Sequence, residues 1–305
     1  MSMTRRDFVA SSAVLAATGF LSPVARVLAQ APQPTPVFTP IRRNVGFFTM
    51  QGGTVGYLID PNGVVVVDSQ FPASAKVLLE GLNERSKSRP VDFLINTHHH
   101  GDHTGGNIVF KGSAKKVVSH ETCGAHMKTP PGKNPPGENL FPDTTFKDQW
   151  RQDVGDERIR ARFYGPAHTS GDAVITFERA NVAHMGDLMF NKRHPLVDRP
   201  AGARISGWIG VLEKVPGDHS TDTTYIFGHA NTGLPVIGTR ADLMDFRNYL
   251  SAVLTFVESQ IKAGKTRDEI IAMRDPLKGF EAYGQFPAPS ATSILQVAYE
   301  ELTTK

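Results

Sequence analysis

Short apolar runs, each closed by a turn or a polar cluster, recur along most of this chain. Val64-Val65-Val66-Val67 is uninterrupted and closes on Asp68, and Val91 to Asn96 is a second run, bounded by Pro90 and a histidine-rich stretch. Both read as buried strands. Ile159 to Tyr164 alternates, Ala173 to Phe177 is apolar, and Asn181 to Asp187 and Tyr225 to Ala230 read as strands ending in potential ligands. Phe47 to Asp68 predicts a strand pair turning at Pro61-Asn62-Gly63, and Ala73 to Ser86 has helical spacing with Val77, Leu78 and Leu82 inward. Beyond His229 the pattern becomes helical. Thr239-Arg240-Ala241-Asp242 and Thr266-Arg267-Asp268-Glu269 are capping-box starts, Gly264 stops the first helix, and Ala291 to Leu302 predicts a last one. Two sets of strands with helices outside them predict an α/β fold arranged as an αββα sandwich. The Pro-rich Ala31 to Pro40 has little reason to order, and the aperiodic Thr129 to Thr145 is expected to form a flap beside the site.

The chemistry concentrates in Thr97-His98-His99-His100-Gly101-Asp102-His103-Thr104-Gly105-Gly106. Zinc takes neutral imidazole nitrogens and carboxylate oxygens, so the spacing His-x-His-x-Asp-His aims His98 and His100 at one ion while Asp102 and His103 face a second. His99 then points away and is expected not to be a ligand. A catalytic zinc keeps about three protein ligands and a water, and two ions need about six or seven contacts. Further ligands must come from elsewhere. His168 in the turn-rich loop Gly165 to Asp172, Asp187 and His229 each stand at the end of a strand.

From about Val45 to Ala230 the chain resembles the metallo-β-lactamase fold superfamily, and the resemblance carries over residue by residue. His98, His100 and His168 match the ligands of a first zinc, Asp102, His103 and His229 those of a second, and Asp187 the carboxylate that bridges them. Asp68 matches the Asp that holds the metal loop from behind. The implied activity is dinuclear zinc-dependent hydrolysis by a metal-bridging hydroxide at the acyl carbon of an ester, thioester or lactone. Asp102 has a catalytic role in orienting the nucleophile and moving its proton. Two Zn²⁺ are expected, with Fe or Mn as alternatives. The β-lactamases of the family generally lack a bridging Asp at the position of Asp187, where this chain resembles glyoxalase II and the lactonases. The basic glutathione-binding residues of glyoxalase II have no match in the C-terminal segment. The alternatives are β-lactamase-type amide hydrolysis, iron-dependent redox chemistry, or a non-catalytic periplasmic metal-binding role. Lys192, Arg193 and His194, in the loop leaving Asp187, are candidates to meet a substrate oxyanion.

Composition narrows the partners. The 305 residues are 40% hydrophobic, enough for a sizeable core, and carry 33 basic against 30 acidic residues, a formal charge of +3. That is no polyanion-binding signature, so the expected partner is a small-molecule substrate and not nucleic acid. Part of the surplus lies in Thr4-Arg5-Arg6-Asp7-Phe8-Val9, a twin-arginine pattern followed by apolar Phe8 to Leu21 and the small-x-small site Ala29-Gln30-Ala31. Residues 1–31 are expected to be a signal peptide. Residues 32–305 are then one domain with a helical C-terminal part, periplasmic or secreted, with no stable membrane anchor after leader removal. Cys123 is the only cysteine, which precludes an intrachain disulfide, and is expected to pack as a small hydrophobe in a helix. His120, His126, His184 and His219 are expected to be structural or exposed. The physiological substrate, native metal and oligomeric state stay open at this level.

Overall fold

A computed structural model describes residues 34–130 and 138–304, so the leader expected over residues 1–31 and part of the expected flap lie outside the described residues. The first sheet runs in order through β1 (Val37–Arg42), β2 (Val45–Thr49), β3 (Val55–Asp60), β4 (Gly63–Val67), β5 (Val91–Asn96), β6 (Ala114–His120) and β7 (Thr144–Phe146). The strands of the second are β8 (Gln149–Val154), β9 (Glu157–Phe163), β10 (Ala173–Phe177), β11 (Val182–His184), β13 (Thr224–Ile226) and β15 (Ile237–Gly238), in spatial order 15-13-11-10-9-8. Two short strands, β12 (Phe190–Asn191) and β14 (His229–Ala230), pair separately.

The apolar runs are uninterrupted because their strands are buried on both faces. In β4, Val65 and Val67 point into the cluster between the sheets, with Ile175, Phe177 and Ile226 from the second sheet. Val64 and Val66 point the other way, against Leu78 and Leu82 of α1 (Pro72–Ser86) and Phe110. The outer face of the second sheet is covered by α4 (Ile205–Lys214), α5 (Arg240–Lys262) and α7 (Ile294–Thr303), through Trp208, Phe246, Leu250 and Val297. Three short or medium helices complete the set: α2 (Gly101–Thr104), α3 (Glu121–Lys128) and α6 (Arg267–Ile271). The layers are therefore helix, sheet, sheet, helix, as the strand pattern predicts.

Capping follows the sequence closely at α5 and α6. Thr239 with Asp242, and Thr266 with Glu269, each form a reciprocal box. Three expectations need correction. Ala31 to Pro40 is not wholly a loose tail: Val37–Arg42 pairs antiparallel with β2, because Phe38 packs on Phe48 at 4.8 Å between ring centroids with the Arg85 guanidinium 4.0 Å above it. The last helix begins at Ile294 and not at Ala291, since the Thr292 carbonyl accepts from Val197 N and keeps that segment non-helical. The end of the aperiodic Thr129 to Thr145 stretch joins the first sheet as β7. A helix at Ile205–Lys214 was not foreseen, although Ile205, Trp208, Val211 and Leu212 lie on one helical face and are buried.

The parallel pairs β4–β5 and β11–β13 bring the loops that follow these strands to one edge, where β9 also ends. That edge carries the site.

Candidate metal centre

His98 and His100 follow β5, and the chain then winds into α2, whose single turn carries Asp102 and His103. His168 lies in the loop between β9 and β10, Asp187 in a 3₁₀ turn after β11, and His229 at the start of β14. All seven converge. His98, His100, His168 and Asp187 offer ligand atoms within 4.8 Å of one another, and so do Asp102, His103 and His229.

Asp187 stands between the two groups. Its Oδ2 is 3.7 Å from His98 Nε2, 3.5 Å from His168 Nε2 and 3.4 Å from His229 Nε2, while Oδ1 is 2.9 Å from His103 Nε2. Across the first group, His100 Nδ1 is 2.9 Å from His168 Nε2, and across the second, His229 Nε2 is 3.1 Å from Asp102 Oδ2. The facing nitrogens of His100 and His168 either share one proton or turn both lone pairs toward a cation. Among the described residues, His98 Nε2 is buried without a hydrogen-bond partner, a costly state for a polar atom unless a cation completes it. The donor set, imidazole plus carboxylate, suits a divalent metal ion.

Asp68 holds this arrangement from beneath. Its Oδ1 accepts from Thr97 N at 2.8 Å, and its Oδ2 accepts from Thr97 Oγ1 at 2.7 Å and lies 2.7 Å from His103 Nδ1. Asp68 adopts a left-handed backbone, φ 66°, which a non-glycine residue keeps only where such contacts over-determine it. Asp172 plays the same part for the His168 loop, accepting from Thr169 N and Thr169 Oγ1, each at 2.7 Å. Burial pushes its carboxyl up to about 7.

Electrostatics divide the imidazoles. Burial drives His98 well below the usual histidine range and His168 down to about 3. At His103 and His229 burial acts the same way, but Asp187 with Asp68 or Asp102 outweighs it, holding His103 well above the usual range and His229 at about 9. Burial opposes ionisation of Asp187, yet His229, His103 and His98 together hold it well below the carboxylate range. In the metal-free chain a carboxylate thus sits among imidazoles that compete for its charge.

The site opens into a cavity of about 480 Å³, whose walls include Asp102, Asp187, His229, Arg193, His194 and Leu196. Of the three candidate substrate contacts, Arg193 and His194 line it, whereas Lys192 is paired with Asp245 at 2.5 Å. His194 is itself engaged, its Nδ1 2.6 Å from Tyr249 Oη. His99 stays outside both ligand groups around Asp187, with its ring against His126. Cys123 is buried in α3, and His184 and His219 are buried or half-buried against Thr54 O and Val215 O. Asp198, 2.8 Å from His100 Nε2, was missed in the sequence, since nothing near Val197-Asp198-Arg199-Pro200 marks it as more than a turn.

Close approach is built into the backbone. A Cβ on Gly228 would overlap the Asp187 carboxylate, and one on Gly53 would overlap the His103 ring. Gly53 cannot retreat, because its N donates to Asp102 O and its carbonyl accepts from Gln70 Nε2. Gly53→Ala is therefore expected to displace His103 and to weaken metal binding at the Asp102, His103 and His229 group. Metal titration of the folded variant checks this, and unchanged affinity would refute the tight-packing account.

A family model described as the metallo-beta-lactamase superfamily matches residues 50–234. The chain is 31% identical over 134 residues to a hydroxyacylglutathione hydrolase of Methylococcus capsulatus, a match covering 44% of this chain and 47% of that protein. The chain thus spans about half the length of that relative. It is 24% identical over 201 residues to metallo-beta-lactamase IND-1 of Chryseobacterium indologenes, covering 62% and 80%. Among solved structures, a metallo-beta-lactamase from Pontibacter korlensis superposes with a TM-score of 0.58 at 19% identity, over 71% of this chain and 99% of that one.

Proposed function

The chain belongs to the metallo-β-lactamase superfamily, and from that premise we propose that it is a metal-dependent hydrolase, a dinuclear zinc enzyme cleaving an ester, thioester or lactone of a small molecule. The observation that carries this reading is the placing of Asp187, one carboxylate within 3.7 Å of imidazoles from both ligand groups. His98, His100 and His168 would hold one ion, Asp102, His103 and His229 the other, and Asp187 both. Bound there, divalent ions supply Lewis acidity toward a carbonyl oxygen and lower the pKa of water from 15.7 toward about 7.

The side chains then divide the work. Asp102 is part-exposed at the cavity wall, and although burial opposes its ionisation, the His229 hydrogen bond keeps its carboxyl below the usual range. It therefore accepts a hydrogen bond from water, aims it at the acyl carbon and takes its proton. Phe190 and Leu196 give the cavity apolar surface for the acyl portion. Arg193, exposed at the rim, pairs with an anionic group on the substrate. No cavity-lining carboxyl is held neutral to donate a proton to a departing amine, since Asp102, Asp187 and Asp198 are all held ionised. Oxygen and sulfur leaving groups need that proton least, which favours esters, thioesters and lactones over β-lactams. The twin-arginine pattern at Arg5-Arg6 supports export to the periplasm or beyond.

Metal analysis with a hydrolase panel tests the proposal. About two zinc ions per chain are expected, with kcat/KM for aryl ester, thioester or lactone above that for a cephalosporin. Inert esters and lactones beside a cephalosporin or carbapenem turned over at about 10⁶–10⁸ M⁻¹s⁻¹ would make it a β-lactamase. Iron in place of zinc, with redox turnover, would move it to another class. Arg193→Ala is expected to raise KM for a carboxylate-bearing ester about 10-fold at nearly unchanged kcat, and to leave the uncharged analogue alone. Equal effects on both esters would remove Arg193 from substrate recognition.

A further inference from the structure

We infer that Asp198 is a positioning residue for the first ligand group: it fixes the tautomer and orientation of His100 and sets that imidazole against His168. This rests on reading His98, His100 and His168 as a metal site. Asp198 is buried, 6% exposed, and its Oδ2 is 2.8 Å from His100 Nε2. The other nitrogen of the same ring, Nδ1, is the one 2.9 Å from His168 Nε2. The ring thus meets a carboxylate on one side and the ligand group on the other. An ionised carboxylate only accepts, so it keeps the proton on Nε2 and leaves the Nδ1 lone pair facing the site.

The backbone around Asp198 extends the argument. Its N approaches His168 O at 3.4 Å, Ser170 N donates to Ala201 O at 2.8 Å, and Arg204 N donates to Ala167 O at 3.0 Å. The segment carrying Asp198 is therefore stitched to the His168 loop of the second sheet, while its side chain reaches His100, which follows β5 of the first. Ala201 N and Ala203 N both donate to Asp198 O at 3.0 Å, which makes the segment a closed turn and not a free loop. Asp198 is the point at which two ligands from different sheets are placed relative to one another, and a small error there would open the first group.

Asp198 Oδ2 also lies 3.6 Å from His99 Nε2, and His99, His100 and Asp198 are close enough to hold a cation of their own. The positioning role is favoured because His100 Nε2 is already hydrogen-bonded to Asp198. A cation there would require the His100 ring to give up both protons.

Cobalt titration of metal-free wild type, Asp198→Asn and Asp198→Ala, with a competing chelator, tests the inference. In Asp198→Ala one of the two equivalents is expected to bind 10- to 100-fold more weakly, roughly the loss seen when a ligand's outer partner is removed, with the other unchanged. Asp198→Asn should lose less, since its amide oxygen still accepts from Nε2. In the paramagnetic cobalt form, the exchangeable Nε2–H resonance of His100 should survive in Asp198→Asn and vanish into water exchange in Asp198→Ala. Unchanged affinity for both equivalents would overturn the assignment. So would equal weakening of both together with a lower melting temperature of the metal-free variant, which marks a purely structural role. A third equivalent in wild type that Asp198→Ala lacks would make Asp198 a cation ligand instead. Wild type that binds no cobalt would remove the metal-site reading itself, a result distinct from normal wild-type binding with unaffected variants.

Discussion

Asp187→Ala is expected to lower bound metal from about two equivalents to below one and to cut kcat/KM about 10³-fold. The geometry makes the effect large. One carboxylate faces His98, His168 and His229 through one oxygen and His103 through the other, so its removal strips an anionic contact from both groups at once. Four imidazoles would then face an uncompensated space. A metal pair supplies several kcal/mol of charge stabilisation to a hydrolytic transition state, and each 1.36 kcal/mol is tenfold in rate. Metal analysis and steady-state kinetics on the folded variant measure both quantities. Retention of two ions and of wild-type turnover would dismiss the bridging role.

Removing metal from the wild type should lower the melting temperature by on the order of 10 °C, because ligand at about 1,000 times its Kd contributes about 4 kcal/mol and each kcal/mol moves a chain of this size by a few degrees. The metal-free protein has its own pH dependence. His229, whose pKa is raised to about 9, contributes stability that is complete below its unfolded value of about 6.5 and is lost as pH rises through 9; His103 acts in the same direction. His168, lowered to about 3, and His98 work oppositely: the unfolded chain takes up their protons below about 6.5, so stability falls as pH drops from there. Metal-free melting should therefore crest near pH 6.5. The gain on adding metal should widen between pH 6.5 and 9, since metal displaces protons from His103 and His229. Calorimetry across that range, with and without chelator, checks both. A metal-free melting temperature that climbs steadily from pH 6 to 9 would contradict the charge assignment.

The parts of the site that were legible in the sequence share one property: the signal is local. His98, His100, Asp102 and His103 stand within six residues, and alternating ligands on a strand-to-turn boundary have few other uses. His168, Asp187 and His229 are scattered, but each ends a strand, and in layered α/β folds the ends of parallel strands gather at one edge. Strand positions were readable because β4 and β10 are buried at every position and β5 over most of its length, so apolar residues are required in runs and not only at alternate positions. The helix over Ile205–Lys214 was missed although its face is apolar, because the preceding Asp198 to Arg204 stretch of Pro and Gly reads as continuing loop.

Asp198 shows the opposite case. Its partner His100 is 98 residues away, and a single Asp before a proline turn has no local pattern that sets it apart from a helix or turn cap. The same holds for the split between Lys192, Arg193 and His194. Adjacent in the chain and all able to donate, they separate only because Asp245 and Tyr249, on one face of α5, engage Lys192 and His194 and leave Arg193 free to face the cavity. What the sequence by itself determined here was the layered sandwich and the kind of chemistry at its edge, since hydrophobic period and ligand spacing act over a few residues. The tertiary structure alone decided which carboxylate faces which imidazole and which cation at the rim stays unpaired among the described residues. Those outcomes are set by contacts between segments far apart in the chain, whose energies depend on distance and burial that no local pattern encodes.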